Sequence, residues 1–282
     1  MNGKILEGNK LADKLLNDLK ETIIKDKLNL KLVAIQVGSV EESNLYLDLK
    51  KIQAKNVGIN FEIIKLSENI ENYDLIKNIE KLNKDKTVDG IIIQLPLPKK
   101  IDLKLISQSI VPWKDVDGFN PFIKGQLDLN QLELVPPTAM ATFYLLENNN
   151  ISFENKSILV IGRGEIAGKP IIKMLLNKNA IVTSIGNKIK DLKKYTKKAD
   201  IIISATGDKN IINNRKMVKK NVGLVNIGLV KEDGKIIGDI NEEKLIKKAS
   251  WIIPAKGGIG PLTVAFLLIN TYKCYIIRKN SN

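Results

Sequence analysis

The sequence predicts an α/β protein of two domains, one over residues 1–137 and a doubly wound one over 138–261, with a helix at 262–282 returning to the first. Three observations carry this. Short runs rich in Ile and Val alternate with helical periodicity along the chain, the rhythm of parallel βαβ units. The stretch 157–170, S-I-L-V-I-G-R-G-E-I-A-G-K-P, sets a buried strand, a glycine turn and a helix start in succession. At 282 residues and 44% hydrophobic content, the chain can bury two modest cores.

Taken in order, Leu11, Leu15, Leu19 and Ile23 recur at helical spacing and share one face of an opening helix. Residues 30–37 form a buried strand ending at Gly38, followed by a helix at 42–56, a strand at 61–66, a helix at 73–82 and a strand at 88–95 closed by Pro96 and Pro98. A short helix is expected at 102–109. Periodicity then fails over 111–134, where Pro112, Gly118, Pro121 and Gly125 predict a loop, kept ordered by Trp113, Phe119 and Phe122. A helix at 138–148 connects to the second domain. There strands at 158–161, 180–185, 200–204, 222–227 and 251–253 give a Rossmann-like rhythm, with a helix from Glu165 and a last apolar helix at 262–277.

Composition excludes several chemistries. Histidine is absent and Cys274 is the single cysteine, so zinc sites, Ser-His-Asp triads and internal disulfides are ruled out and no metal is expected. Proton transfer is left to Lys, Asp, Glu or Tyr. No stretch approaches a membrane span, and lysines and acids break the first residues before a signal core forms; a cytoplasmic protein with no membrane partner is expected. The net charge of +14 comes almost wholly from lysines spread through every helix, without an aromatic basic stripe, so no nucleic-acid partner is expected. Arginine is confined to three positions, and Arg163 lies inside the glycine turn.

That turn carries the first candidate site. Gly162, Gly164 and Ala167 satisfy G-x-G-x-x-G/A, with Gly168 as a further point of close packing, and the following helix would offer backbone N–H groups to a pyrophosphate. An NAD site usually places an acid about twenty positions past the first glycine, on the ribose hydroxyls. Here the second strand ends in I-G-N-K (185–188), with no acid before Asp191, while Lys188 and Arg163 offer charge for a 2′-phosphate. The expected cofactor is NADP, with Ile166, Thr206 and Ile227 completing the candidate set.

In the first domain, Tyr46 and Lys50 lie one helical turn apart on one face, a spacing that by itself favours an exposed tyrosine and a solvated lysine over a functional pair. Gln94 is the polar residue at the C-terminal end of an apolar strand, where ligands collect in open α/β sheets; it is equally readable as an amide capped by backbone. Asp115 and Asp117 flank a turn, where an aspartate commonly serves as an Asx cap.

Together these stretches resemble one family, the bifunctional methylenetetrahydrofolate dehydrogenase/cyclohydrolases, called FolD in bacteria. The resemblance rests on S-N-L-Y-L-D-L-K-K (43–51), D-G-I-I-I-Q-L-P-L-P (89–98), K-D-V-D-G-F (114–119), I-G-R-G-E-I-A-G-K-P (161–170) and G-G-I-G-P-L-T (257–263), in the family's order across nearly the whole chain. It implies oxidation of 5,10-methylenetetrahydrofolate to the 5,10-methenyl form, then hydrolysis to 10-formyltetrahydrofolate. It also implies that the catalytic lysine is Lys50, supported by Tyr46 and Gln94, that Asp117 anchors the folate, and that Gly257, Gly258 and Pro261 contact it. A homodimer is expected, with the lysines steering polyglutamate tails of tetrahydrofolate substrates.

The chain departs from the family pattern at several places. Gly164 stands for a usual serine, Gly186 and Asn187 for His-Ser, Asn226 for an aspartate, Lys256 for a proline, and Ala139 and Ala141 for Pro and Gly. Two further readings therefore stand beside the first: the same fold with one activity or with NAD preference, and a basic protein that holds a polyanion without catalysis. Retention of Tyr46, Lys50, Gln94 and Asp117 together argues against the last.

Overall fold

The computed structural model describes residues 3–38, 41–232 and 234–280, and the side chains at 41–46 lie outside the description. Contacts divide it into two compact units, residues 13–137 with 264–282, and residues 1–12 with 138–263.

In chain order, β1 (Lys4–Ile5) leads into α1 (Asn9–Lys25), β2 (Lys31–Val37), α2 (Glu41–Val57), β3 (Asn60–Leu66), α3 (Asn72–Lys84), β4 (Gly90–Ile93) and α4 (Leu103–Ser109). In the unit built on residues 13–137, strands pair in parallel in the order β3-β2-β4, Ile35 lying opposite Ile64 and Ile93. The Ile and Val of β2 and β4 are fully buried because a parallel sheet is covered on both faces; Val33, Ile35, Ile91 and Ile93 meet Leu75, Ile79 and Ile106 in one core.

The stretch 111–134 is not wholly loop. It holds a 3-10 turn at Pro112–Lys114 and a helix, α5 (Pro121–Asp128). The helix starts because the Asn120 side chain accepts from Phe122 N–H at 2.8 Å and Pro121 supplies its first residue with φ already suited to a helix.

The chain continues through α6 (Pro137–Asn148), β5 (Ser157–Ile161), α7 (Gly168–Leu176), β6 (Ile181–Ile185), α8 (Leu192–Thr196), β7 (Ile201–Ser204), β8 (Val222–Asn226), β9 (Leu229–Glu232), β10 (Lys235–Gly238), α9 (Glu242–Leu245), β11 (Ala249–Ile253) and α10 (Ile259–Asn280). In the second unit, the described residues form a six-stranded parallel sheet in the order β1-β11-β8-β7-β5-β6, with β9 and β10 as a separate antiparallel hairpin. Residues 1–12 belong by contacts to this unit and not to the first domain, where the sequence places them. The reason is that Lys4 and Ile5 pair with Trp251 and Ile252 at the sheet edge. The helix expected from Glu165 begins at Gly168, so Ile166 lies in the turn.

The expectation that no stretch approaches a membrane span needs correction. α10 has 22 residues, of which an 18-residue stretch has a mean hydropathy of 1.3, long and apolar enough by length and composition, and half of that stretch is buried within the structure. Leu267, Leu268, Thr271 and Cys274 pack inward. The buried Asn270 amide donates to the carbonyls of Val116 and Val135, each at 2.9 Å, tying α10 to the K-D-V-D-G-F stretch and to the residues just before α6. Replacing Asn270 by Ala leaves two interior carbonyls without a donor and is expected to lower stability by roughly 2–4 kcal/mol in urea unfolding; a loss under about 0.5 kcal/mol would contradict this assignment.

Candidate active site

Three of the expected catalytic residues come together at the C-terminal end of β4. Lys50, half-buried on α2, donates from Nζ to Gln94 Oε1 at 3.1 Å. Gln94 continues the strand by donating its N–H to Ile35 O at 2.9 Å, and its amide donates to Leu95 O at 2.7 Å, so its oxygen is aimed at the amine. The amide is thus capped by backbone, and that bond leaves its oxygen for Lys50. Burial lowers the Lys50 pKa from the ordinary lysine value, and the charge of Asp117 opposes that shift. Burial likewise pushes Asp117 up to about 6 against the pull of Lys50. Each group thus sits in the other's field. Tyr46 lies one turn earlier on the same helix, and its side chain is outside the described residues.

The motif K-D-V-D-G-F divides its labour. Asp115 is fully buried and accepts from Asn120 N–H at 2.6 Å and Gly118 N–H at 3.0 Å, the Asx-cap role. Burial first, and then the neighbouring Asp117 charge, raise it to about 7. Lys114 turns the other way. Its ammonium donates to the carbonyls of Leu82, Asn83 and Asp85 at the end of α3, with burial lowering its pKa to about 8. Of the three charged groups, Asp117 is the one facing Lys50.

In the second unit, the glycine turn closes around two residues. Gly162 has φ +96°, and a Cβ there would lie 2.3 Å from Ala205 O; a Cβ on Gly168 would lie 2.2 Å from Gly162 O. Nothing stands within 4 Å of a Cβ on Gly164. The close approach of helix to strand thus depends on Gly162 and Gly168, and Ala167 is the residue before α7. The chain's Gly164 in place of serine relieves no crowding.

Arg163 is exposed and donates to Ser184 O, which holds its guanidinium at the end of β6. With Gly186, Asn187, Lys188 and Tyr195 it lines a pocket of about 520 Å³ that carries two cations and no carboxylate. Asp191, the first acid after the turn, is spent as the N-cap of α8, accepting from Lys194 N–H at 3.3 Å. The residues present fit a phosphorylated ribose better than a free diol. Thr206 and Ile227 lie just past the ends of β7 and β8. Ile227 N–H donates to Ser204 O at 2.9 Å, and Thr206 N–H donates to Asp239 Oδ2 at 2.7 Å. Asp239, fully buried and also bonded to the Ser204 hydroxyl at 2.7 Å, is a residue the sequence reading missed. Its signal was an acid next to Gly238 in an apolar run.

Gly257, Gly258 and Pro261 also belong to this unit, in the turn after β11 and the start of α10. Gly257 has φ +76°, and a Cβ on Gly258 would lie 2.2 Å from Pro254 O. Among the departures from the family pattern, Asn187 donates to Asp208 Oδ2 at 2.9 Å, Lys256 is exposed, and Ala139 and Ala141 are buried.

Comparison with known proteins places these features. Residues 6–117 match the model of the tetrahydrofolate dehydrogenase/cyclohydrolase catalytic domain, and residues 136–279 match that of the NAD(P)-binding domain. The bifunctional protein FolD of Hydrogenobaculum is 38% identical over 273 residues, covering 96% of this chain and 98% of its own. The crystal structure of FolD from Campylobacter jejuni superposes with a TM-score of 0.93 at 38% identity, over 98% of this chain and 99% of that one. The Trypanosoma brucei FolD complexed with NADP and an inhibitor gives 0.93 at 28% identity, over 99% of each.

The glycine turn can be tested by contrast. Gly164→Ser is expected to leave stability within about 0.5 kcal/mol, whereas Gly168→Ala should cost about 2 kcal/mol and weaken dinucleotide binding at least about tenfold, read by thermal unfolding and by titration. Equal effects of the two would contradict the packing described.

Proposed function

The chain belongs to the tetrahydrofolate dehydrogenase/cyclohydrolase family, and from that premise we propose how its own residues divide the work. The enzyme oxidises 5,10-methylenetetrahydrofolate to 5,10-methenyltetrahydrofolate with NADP and hydrolyses the product to 10-formyltetrahydrofolate. The observation that carries the residue assignment is the Lys50 amine held out of water against the neutral Gln94 amide, beside Asp117.

NADP, when bound, supplies the hydride acceptor; Arg163 and Lys188 would hold its 2′-phosphate, with Gly162 and Gly168 letting its pyrophosphate approach backbone. Asp117 accepts hydrogen bonds from pterin N–H groups in its carboxylate form, which prevails above about pH 6. Lys50 is the base of hydrolysis. A free lysine is protonated near neutral pH, so acting as a base takes a bias toward the neutral amine. Burial supplies part of that bias, and the cationic methenyl substrate adds to it. Gln94 accepts one amine hydrogen without adding charge, so the lone pair stays free for a water proton. As the water oxygen bonds to the methenyl carbon, one of its protons passes to Lys50 and then to the ring nitrogen whose bond to that carbon breaks; the second leaves to solvent as the remaining C–O bond becomes the formyl carbonyl, the net proton released when the cation is hydrolysed. Tyr46 is assigned to stacking on the pterin, by resemblance alone.

The charge of +14 supports steering of polyglutamate tails. A cytoplasmic homodimer that supplies formyl groups to purine biosynthesis is part of the same proposal, its dimer checked by sedimentation.

Lys50→Met is expected to lower methenyl hydrolysis at least about a thousandfold, followed as decay of the methenyl absorbance; hydrolysis near the unmutated rate would remove Lys50 as the base. Arg163→Ala should lower the ratio of kcat/KM for NADP over NAD about tenfold or more. An unchanged ratio would place the 2′-phosphate elsewhere.

A further inference from the structure

Asn226 ends β8, is fully buried, and stands where the family pattern has an aspartate. Its side chain pairs with the backbone of Ile240, accepting from the N–H at 2.8 Å and donating to the carbonyl at 3.2 Å. The same amide nitrogen donates to Glu242 Oε1 at 2.8 Å, and that oxygen also accepts the Ala255 N–H at 2.6 Å. Ala255 belongs to the turn 254–258 that carries Gly257 and Gly258. Gly238 packs closely against this pair and the turn: a Cβ there would come within 2.6 Å of Asn226 Oδ1 and 2.9 Å of the Ala255 Cβ.

An aspartate at 226 would turn the donor into an acceptor facing two oxygens, the Ile240 carbonyl and the Glu242 carboxylate. Glu242 therefore requires an amide opposite it, and the departure at 226 is explained by its partner and not by loss of the cofactor site. We infer that Asn226 and Glu242 are a positioning pair that holds the turn 254–258 in its substrate-binding shape through the Ala255 N–H. The inference rests on the reading that Gly257 and Gly258 contact the folate.

The test uses the full-length enzyme with saturating NADP at pH 8, so that a shared proton does not stand in for the amide. Asn226→Asp is expected to expose the Ala255 amide to hydrogen exchange and to raise KM for methylenetetrahydrofolate about tenfold while kcat changes less than about threefold. Glu242→Gln keeps an oxygen that can accept from both Asn226 and Ala255, and should leave both readouts within about threefold of the unmutated enzyme. If Asn226→Asp does not fold, Glu242→Leu removes the acceptor and should expose the same amide. Unchanged exchange at Ala255 in Asn226→Asp, or lost protection there in Glu242→Gln, would overturn the pair. Lost protection with an unchanged KM would instead overturn the reading that this turn meets the folate.

Discussion

A lysine must give up its proton before it can act as a base, and an exposed amine near neutral pH does not. The fold meets this by drawing Lys50 out of water onto the amide oxygen of Gln94, where a neutral partner fixes its position without restoring its charge. Asp117 pulls the other way: it favours the ammonium while burial weakens its own ionisation. The balance among these three groups sets which proton states are populated, and the proposed chemistry depends on it.

Much of the surrounding structure supports that balance. Gln94 faces the amine because β4 pairs with β2 and the strand ladder continues to its N–H. Asp117 is placed by its neighbours: Asp115 caps the turn, Lys114 anchors it to the end of α3, and Asn270 of α10 holds the Val116 carbonyl between the two aspartates. A set of buried polar residues that looks catalytic thus separates into one carboxylate near the amine and several that hold it there.

The parts of the fold with strong periodicity were legible in the sequence. The Ile- and Val-rich runs at 30–37 and 158–161 are strands because both their faces are covered, and the pattern says so directly. What was illegible depends on partners distant in sequence. β1 is only Lys4–Ile5 and forms because β11 offers an open edge. α5 was hidden by its Pro and Gly, although Asn120 before Pro121 was a start signal. The β9–β10 hairpin was passed over despite Gly234 following an aspartate, a turn signal between two apolar runs. At the site, the family resemblance marked Lys50, Gln94 and Asp117 as candidates, yet only the fold brings them together. Within the glycine turn, Gly162 and Gly168, the latter expected as a point of close packing, make the close approaches, and Gly164 does not.

The central claim is that Lys50 is held with a lowered affinity for its proton. Titrating selectively ¹³C-labelled lysine side chains by NMR, with Lys50 assigned from its loss in Lys50→Met, measures this directly. The account predicts a Lys50 resonance that titrates below the ordinary lysine value and moves lower still in Asp117→Asn, where the opposing charge is gone. Titration of Lys50 at or above the ordinary lysine value, unmoved by Asp117→Asn, would contradict it.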